Sequence, residues 1–191
     1  ERELKMVWEI EREGRTSRLV GTAHFFPYNF RGSFRRYLSR AETVLFEGPL
    51  DDASMRRVVE SGVGGGQGPS LCDALDARTM AKISTELDIA RGLSSHQFFR
   101  GVFGQGPEDL LRAELGEMKP WMAFYRIWTG YRERDGWKYT MDRDAWRIAI
   151  ELGKDVRPLE TIEEQVEALN RVPLERIVSF LSRADWKRYA R

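Results

Sequence analysis

Three predicted strands of this 191-residue chain end on a polar side chain whose type suits chemistry. His24 ends the stretch LVGTAH, Glu47 ends VLFE, and Glu160 ends VRPLE. In open α/β sheets, ligands bind in the crevice outside the carboxyl ends of parallel strands. If these strands are parallel neighbours, one histidine and two carboxylates converge on that crevice.

This residue set predicts a divalent metal site. A histidine with one or two carboxylates is a common ligand set for zinc, manganese or iron(II), and a catalytic metal needs about three protein ligands plus an open water position. The metal would lower the pKa of that water, and a spare carboxylate could serve as a general base. Gly21 lets a backbone or ligand approach closely, and Gly48-Pro49 turns the chain away after Glu47.

Simpler explanations stay open for each of these residues. A histidine at a strand end is often a hydrogen-bonded structural residue, and Glu160 could favour the N-terminal dipole of a following helix. Glu47 is harder to explain in this way, because burying an unpaired carboxylate after Val-Leu-Phe is costly. The second histidine, His96 in SSHQ, is expected to be exposed and not catalytic, and the chain lacks the H-E-x-x-H and G-x-S-x-G motifs.

The elements that must position these residues begin with a hairpin. Residues 5–10 and 17–23 read as two strands joined at Glu13-Gly14, and residues 42–46 as a third strand. Between the second and third strands, residues 29–40 carry apolar side chains at helical spacing. A strand, a helix and a strand predict a βαβ unit with parallel pairing and a right-handed crossover. A further short strand fits residues 155–159.

Helices dominate the rest of the chain. They are expected over residues 51–61, 76–90, 107–115, 118–131 and 140–152, after the Thr161 capping box, and over 174–191. The glycine run at 62–68 predicts a flexible loop, because no Gly-Lys-Ser/Thr phosphate-loop motif follows it. The predicted fold is α/β: a mixed or mostly parallel sheet with flanking helices, one domain over 1–191, and a helical cap insertion at 62–138.

Composition excludes several classes of protein. The chain is 41% apolar and 32% charged, which is typical of a globular domain, and its net charge of +1 argues against nucleic-acid binding. Cys72 is the single cysteine, so no intrachain disulfide forms, and it reads as a structural thiol. Without a membrane-spanning run or a signal peptide we expect a soluble, cytoplasmic segment. Because the chain opens on Glu1, the full-length protein could still carry membrane helices.

Five short motifs resemble the TraB/PrgY/GumN/Tiki family when read in order along the chain. They are Gly21 to His24 (GTAH), Glu47-Gly48, Lys119-Pro-Trp121, Met141-Asp142 in MDRDAWRIAIELGK, and Leu159 to Gln165 (LETIEEQ). The resemblance implies the α/β fold of the wider erythromycin esterase, ChaN and Tiki group. Animal Tiki members are metal-dependent proteases, and bacterial TraB-like members are associated with the shutdown of peptide pheromones.

The same resemblance implies roles for particular residues. His24 and Glu47 match the family's proposed metal-binding or catalytic positions, while Glu160 and Asp142 match further polar motif positions. Asp142 also suits a helix start, where aspartate caps. The family pattern has a second G-x-x-H in a C-terminal half, and this chain stops before one, so we expect it to be the N-terminal part of a larger domain. The glycine usual before the motif aspartate is also replaced, by Tyr139 or Thr140.

Two functions of different classes follow. The first is a metal-dependent hydrolase of the peptidase class, in which His24, Glu47 and a further histidine hold Mn, Co or Zn. The second is a module that binds or sequesters a peptide without cleaving it. In the second case Phe25, Phe26, Tyr125 and Trp128 would supply apolar anchors. The oligomeric state stays open.

Overall fold

The computed structural model describes residues 2–64, 68–87 and 107–183, and their fold is mixed α/β. The described strands are β1 Val7–Arg12, β2 Arg15–Val20, β3 Thr43–Phe46 and β4 Asp155–Pro158. The described helices are α1 Arg31–Leu38, α2 Asp52–Gly62, α3 Leu71–Ala74, α4 Ala77–Glu86, α5 Pro107–Leu115, α6 Pro120–Arg134, α7 Met141–Glu151, α8 Ile162–Asn170 and α9 Leu174–Ser182. Two compact units divide the chain: unit 1 is Glu1–Met55 with Gly136–Ile162, and unit 2 is Arg56–Asp135 with Glu163–Arg191.

The first two strands form the predicted hairpin. β1 and β2 pair antiparallel, with Val7 opposite Val20 and Arg12 opposite Arg15. The turn is Glu13-Gly14, where both residues have positive φ, 53° and 73°. A two-residue turn with positive φ at both positions matches the twist of the flanking strands, which is why a glycine suits this place.

The third strand pairs with a distant part of the chain. β3 and β4 run parallel, with Thr43 opposite Asp155 and Phe46 opposite Pro158. In the described residues β2 pairs with β1 and β3 with β4, so the predicted parallel pairing of the second and third strands is wrong. The reason lies in α7, which contacts both β3 and β4 and delivers β4 beside β3.

The core of unit 1 lies between α1 and α7. Phe30, Phe34, Met141 and Ile148 are buried there, with Leu4, Ala145 and the partly buried Val7 and Val20 of the hairpin packed against them. These side chains recur at helical spacing in both helices, and α1 packs directly against α7. The packing fixes α7, whose first turn carries Asp142.

Unit 2 has a separate, helical core. Its buried side chains include Leu71, Met80, Leu111 and Ile127, with Leu181 from α9. Cys72 is buried in this core, and burial raises the pKa of its thiol, which suits the structural role that we predicted. The predicted cap insertion over residues 62–138 stays a prediction, and residues 65–67 of the glycine run and His96 lie outside the described residues.

Candidate functional site

His24 and Asp142 form a hydrogen-bonded pair in unit 1. Nδ1 of His24 lies 3.0 Å from Oδ2 of Asp142, although 118 residues separate the two in the chain. Two-thirds of the His24 side chain is exposed, whereas Asp142 is one-fifth exposed. The carboxylate therefore fixes the imidazole through Nδ1 and leaves Nε2 as the ring nitrogen without this contact.

The charges around this pair favour a protonated imidazole. The hydrogen bond that the imidazole donates to Asp142 raises the pKa of His24, burial opposes the shift, and the charges of Asp142 and Glu47 raise the pKa further. For Asp142, burial alone would raise the pKa, but hydrogen bonds from His24 and Thr22 outweigh it and hold the pKa below its ordinary value. Asp142 is thus an ionised carboxylate at neutral pH that accepts hydrogen bonds from two side chains.

Asp142 does not act as a helix cap. The N-cap residue of α7 is Thr140, which makes no side-chain capping hydrogen bond, and Asp142 lies in the first turn with its carboxylate on His24. The sequence motif indicated a position for Asp142, but it predicted neither the contact with His24 nor the hydrogen bond from Thr22. The family motif was the signal that could have found it, because no local pattern joins residues so far apart.

Glu47 and Glu160 follow neighbouring parallel strands, as we predicted. The backbone amide of Glu160 donates to the carbonyl oxygen of Glu47 over 2.9 Å, which continues the β3–β4 hydrogen bonding one residue past Phe46 and two residues past Pro158. Both residues are exposed. The two carboxylates therefore belong to the same carboxyl edge of the sheet, and the charge of Glu47 also acts on His24.

The segment after Glu47 is tied back to α7 and begins α2. Nη2 of Arg143 lies 3.0 Å from Oδ1 of Asp52, next to the helix position of Asp142. Asp51 starts α2 by accepting hydrogen bonds from the amide and the hydroxyl of Ser54, at 2.9 and 2.7 Å. These contacts fix the start of α2, which follows Glu47 in the chain, against the first turn of α7.

Gly21 allows a close approach of the facing strand. Its amide donates to the carbonyl of Met6 over 2.9 Å. A Cβ added to Gly21 would lie 3.3 Å from Cβ of Met6 and 3.6 Å from the indole ring of Trp8. The groups closest to that Cβ position are therefore these two side chains, whereas we expected a backbone or a ligand there.

A metal would find part of a ligand set here. A metal-ligating histidine usually donates its other ring nitrogen to a carboxylate, which is the relation of His24 to Asp142. Among residues 2–64, 68–87 and 107–183, however, no group of three or more His, Cys, Asp or Glu side chains is placed to hold a metal ion. What the described residues offer is His24, its partner Asp142 and the nearby charge of Glu47.

Two of the aromatic residues that we considered as peptide anchors contribute to packing. Phe26 contacts Phe30 and Trp137 in unit 1, with ring centroids 5.1 and 5.7 Å apart. In unit 2 Trp128 packs against the core, 6.0 Å from the ring of Phe180. Tyr125, a third candidate anchor, keeps 39% of its surface exposed.

The Lys119-Pro-Trp121 motif has a structural explanation within unit 2. Pro120 is the first residue of α6, where the missing N–H of proline costs nothing. Trp121 is buried and donates from Nε1 to Oδ1 of Asn170 over 2.9 Å. This motif therefore starts a helix and anchors it to the end of α8.

The chain is similar to a known protein family over most of its length. No curated protein and no solved structure matches the chain. No helix in the described part of the chain is long and apolar enough to cross a membrane. The model of the TraB/PrgY/gumN family matches residues 6–188, which is nearly the whole chain and includes His24, Glu47, Asp142 and Glu160. The chain belongs to the TraB/PrgY/gumN family.

Proposed function

We propose that this chain supplies part of the active site of a metal-dependent hydrolase that cleaves peptides. The observation that carries the proposal is the 3.0 Å contact between His24 Nδ1 and Asp142 Oδ2 beside the strand ends of Glu47 and Glu160. A largely shielded carboxylate that orients an exposed imidazole is the arrangement of a metal ligand and its supporting group. Family membership agrees with the proposal through the motifs that hold these residues.

Each residue has a distinct part in the proposed reaction. His24, through Nε2, and Glu47 would hold the divalent ion, either Mn, Co or Zn, while Asp142 keeps the imidazole oriented. When bound, the ion polarises the substrate carbonyl and lowers the pKa of a water. Glu160, exposed at the same sheet edge as Glu47, would accept the proton of the attacking water and return it to the leaving amine.

Metal titration tests this proposal directly. We expect calorimetry to show binding of Mn, Co or Zn that His24→Ala abolishes and that Asp142→Asn weakens about 10- to 100-fold, as for other supporting residues of metal sites. Asp144→Asn is the matched control, because Asp144 lies on the same helix and pairs with Arg31 at 3.7 Å instead of with His24. Equal metal affinity of His24→Ala and the unchanged protein would reject the assignment.

The alternative function is peptide binding without cleavage. It is favoured by the lack of a three-ligand group among the described residues. A binding module would retain a peptide after treatment with a chelator and after His24→Ala, whereas the proposed peptidase would lose turnover under both conditions. Peptide cleavage followed by mass spectrometry, with and without chelator, separates the two.

A further inference from the structure

One face of the β1–β2 hairpin exposes a row of large apolar side chains. Trp8, Ile10 and Leu19 are 56%, 53% and 60% exposed, and Met6, just before β1, is 41% exposed. The register places Trp8 opposite Leu19 and Ile10 opposite Ser17, so these residues share one face. The opposite face is different, because Val7 and Val20 pack against the core of unit 1.

The same face becomes cationic toward the turn. Arg12 alternates on β1 with the same parity as Trp8 and Ile10, and Arg15 lies directly opposite Arg12 on β2, so both arginines belong to this face. Arg12 lies 3.7 Å from Glu13, but both side chains are more than four-fifths exposed, so this ion pair contributes little. Arg15 has no ion pair or side-chain hydrogen bond with the residues that the structure describes. The face is thus apolar at its base and positive at its tip.

The apolar base of this face reaches the GTAH motif that carries His24. Trp8 and Met6 lie against Gly21, the glycine of the GTAH motif, three residues before His24. From Gly21 to Arg15 the strand spans six residues, or about 20 Å at ~3.4 Å per residue. An extended polypeptide of about six residues therefore covers the distance from the motif glycine to the arginine pair.

We infer that this hairpin face, made of Met6, Trp8, Ile10 and Leu19 with Arg12 and Arg15, binds the polypeptide substrate beyond its scissile bond. The inference rests on the proposed function. The substrate segment that fits is apolar next to the site and acidic about six residues away, because that order matches the face in polarity and charge. Exposed tryptophan with flanking arginine is also the side-chain set that dominates binding energy at protein surfaces.

Peptide binding measured by fluorescence anisotropy tests the inference without requiring metal or turnover. The probe is a fluorescein-labelled peptide with a block of leucine and phenylalanine followed by a block of glutamate, and its partner probe has lysine in place of glutamate. We expect the acidic probe to bind at least about tenfold more tightly than the basic one, with the difference shrinking at high salt. Equal binding of both probes would overturn the inference.

Variants of the face provide the second arm. Trp8→Ala is expected to weaken binding of the acidic probe about tenfold or more, because truncation of a tryptophan anchor removes much of the binding energy. The double variant Arg12→Glu with Arg15→Glu should reverse the preference between the probes, and it removes no apolar packing if Trp8→Ala proves unstable. The controls are Ile150→Ala and Arg40→Glu, two exposed positions of unit 1 away from the face. If the control variants reduce the affinity for the acidic probe as much as the face variants do, the inference is contradicted.

A third arm separates a peptide from a membrane surface. Co-sedimentation with vesicles of phosphatidylserine and phosphatidylcholine that is lost in Trp8→Ala, without binding of the acidic probe, would mean that the face docks on anionic lipid and would overturn the inference. Failure of the proposed function looks different. In that case metal binding and cleavage are absent while the probe preference and its loss in the face variants persist.

Discussion

The pairing of His24 with Asp142 predicts a coupling energy that depends on pH. A double-mutant cycle with His24→Gln and Asp142→Asn isolates this energy from the other effects of each substitution. The imidazole is 66% exposed and the carboxylate 20% exposed, at 3.0 Å. An exposed ion pair contributes about 0.2–1 kcal/mol, and we expect the upper half of that range because one partner is largely shielded.

The sign of the pH dependence follows from the raised pKa of His24. The ordinary value is 6.5, and the hydrogen bond and charge of Asp142 raise the pKa in the folded state. The ionic part of the stabilisation is therefore fully present below pH 6.5, and it is lost as the pH rises through the higher folded value. Asp142 stays ionised at mildly acidic pH, because its pKa is lowered from 3.8.

Urea unfolding at about pH 5.5 and about pH 9 measures the two coupling energies. We expect the coupling to be larger at the acidic pH. Arg31 and Asp144 form the control cycle, since they pair between α1 and α7 at 3.7 Å and the pair contains no imidazole. A His24–Asp142 coupling that is equal at both pH values, or larger at the alkaline one, would refute the reasoning. The NMR titration of the imidazole should likewise move to a lower pKa in Asp142→Asn.

Three further predictions concern the elements that hold the site. Ile148→Ala should lower the free energy of unfolding by about 2–5 kcal/mol in urea, because Ile148 is fully buried, whereas Ile150→Ala on the exposed side of the same helix should change it by less than about 0.5 kcal/mol. Asp51→Ala should lower the free energy of unfolding by about 0.5–2 kcal/mol, because it removes the side-chain cap of α2. A change in this free energy no larger than the experimental error would argue against the cap. Gly153→Ala should cost about 1 kcal/mol in a thermal melt, because Gly153 has φ +65°, whereas Gly68→Ala, at a position with open space and no positive φ, is the silent control.

Most helices and strands of the described chain were predictable from local patterns. The predicted helix over residues 107–115 matches α5, and the helix over 140–152 differs from α7 by one residue at each end. Apolar side chains at helical spacing carry this information locally, so distant contacts do not alter it. The hairpin at Glu13-Gly14 is local for the same reason.

Strand partners and side-chain partners were less predictable. Adjacent strands pair more often than distant ones, and that general tendency led to the wrong pairing of β2 with β3. The parallel pairing of β3 with β4 does bring the backbones of Glu47 and Glu160 together, whereas the convergence of their side chains with His24 stays a prediction. The contact of His24 with Asp142 was not predicted, since helix packing sets it and no pattern within either segment encodes it.

The parallel pairing of β3 with β4 also has a consequence for the order of folding. Residues 43 and 155, which face each other at the start of this ladder, are 112 positions apart. Closing so long a loop costs entropy before the ladder returns any stabilisation, and contacts of high sequence separation slow folding. During synthesis from the N-terminus the hairpin and α1 can form early, but Glu47 and His24 gain their neighbours only after residues 142–160 have left the ribosome. Until then the nascent chain carries His24 and Glu47 without these neighbours, so the proposed site is completed late in synthesis.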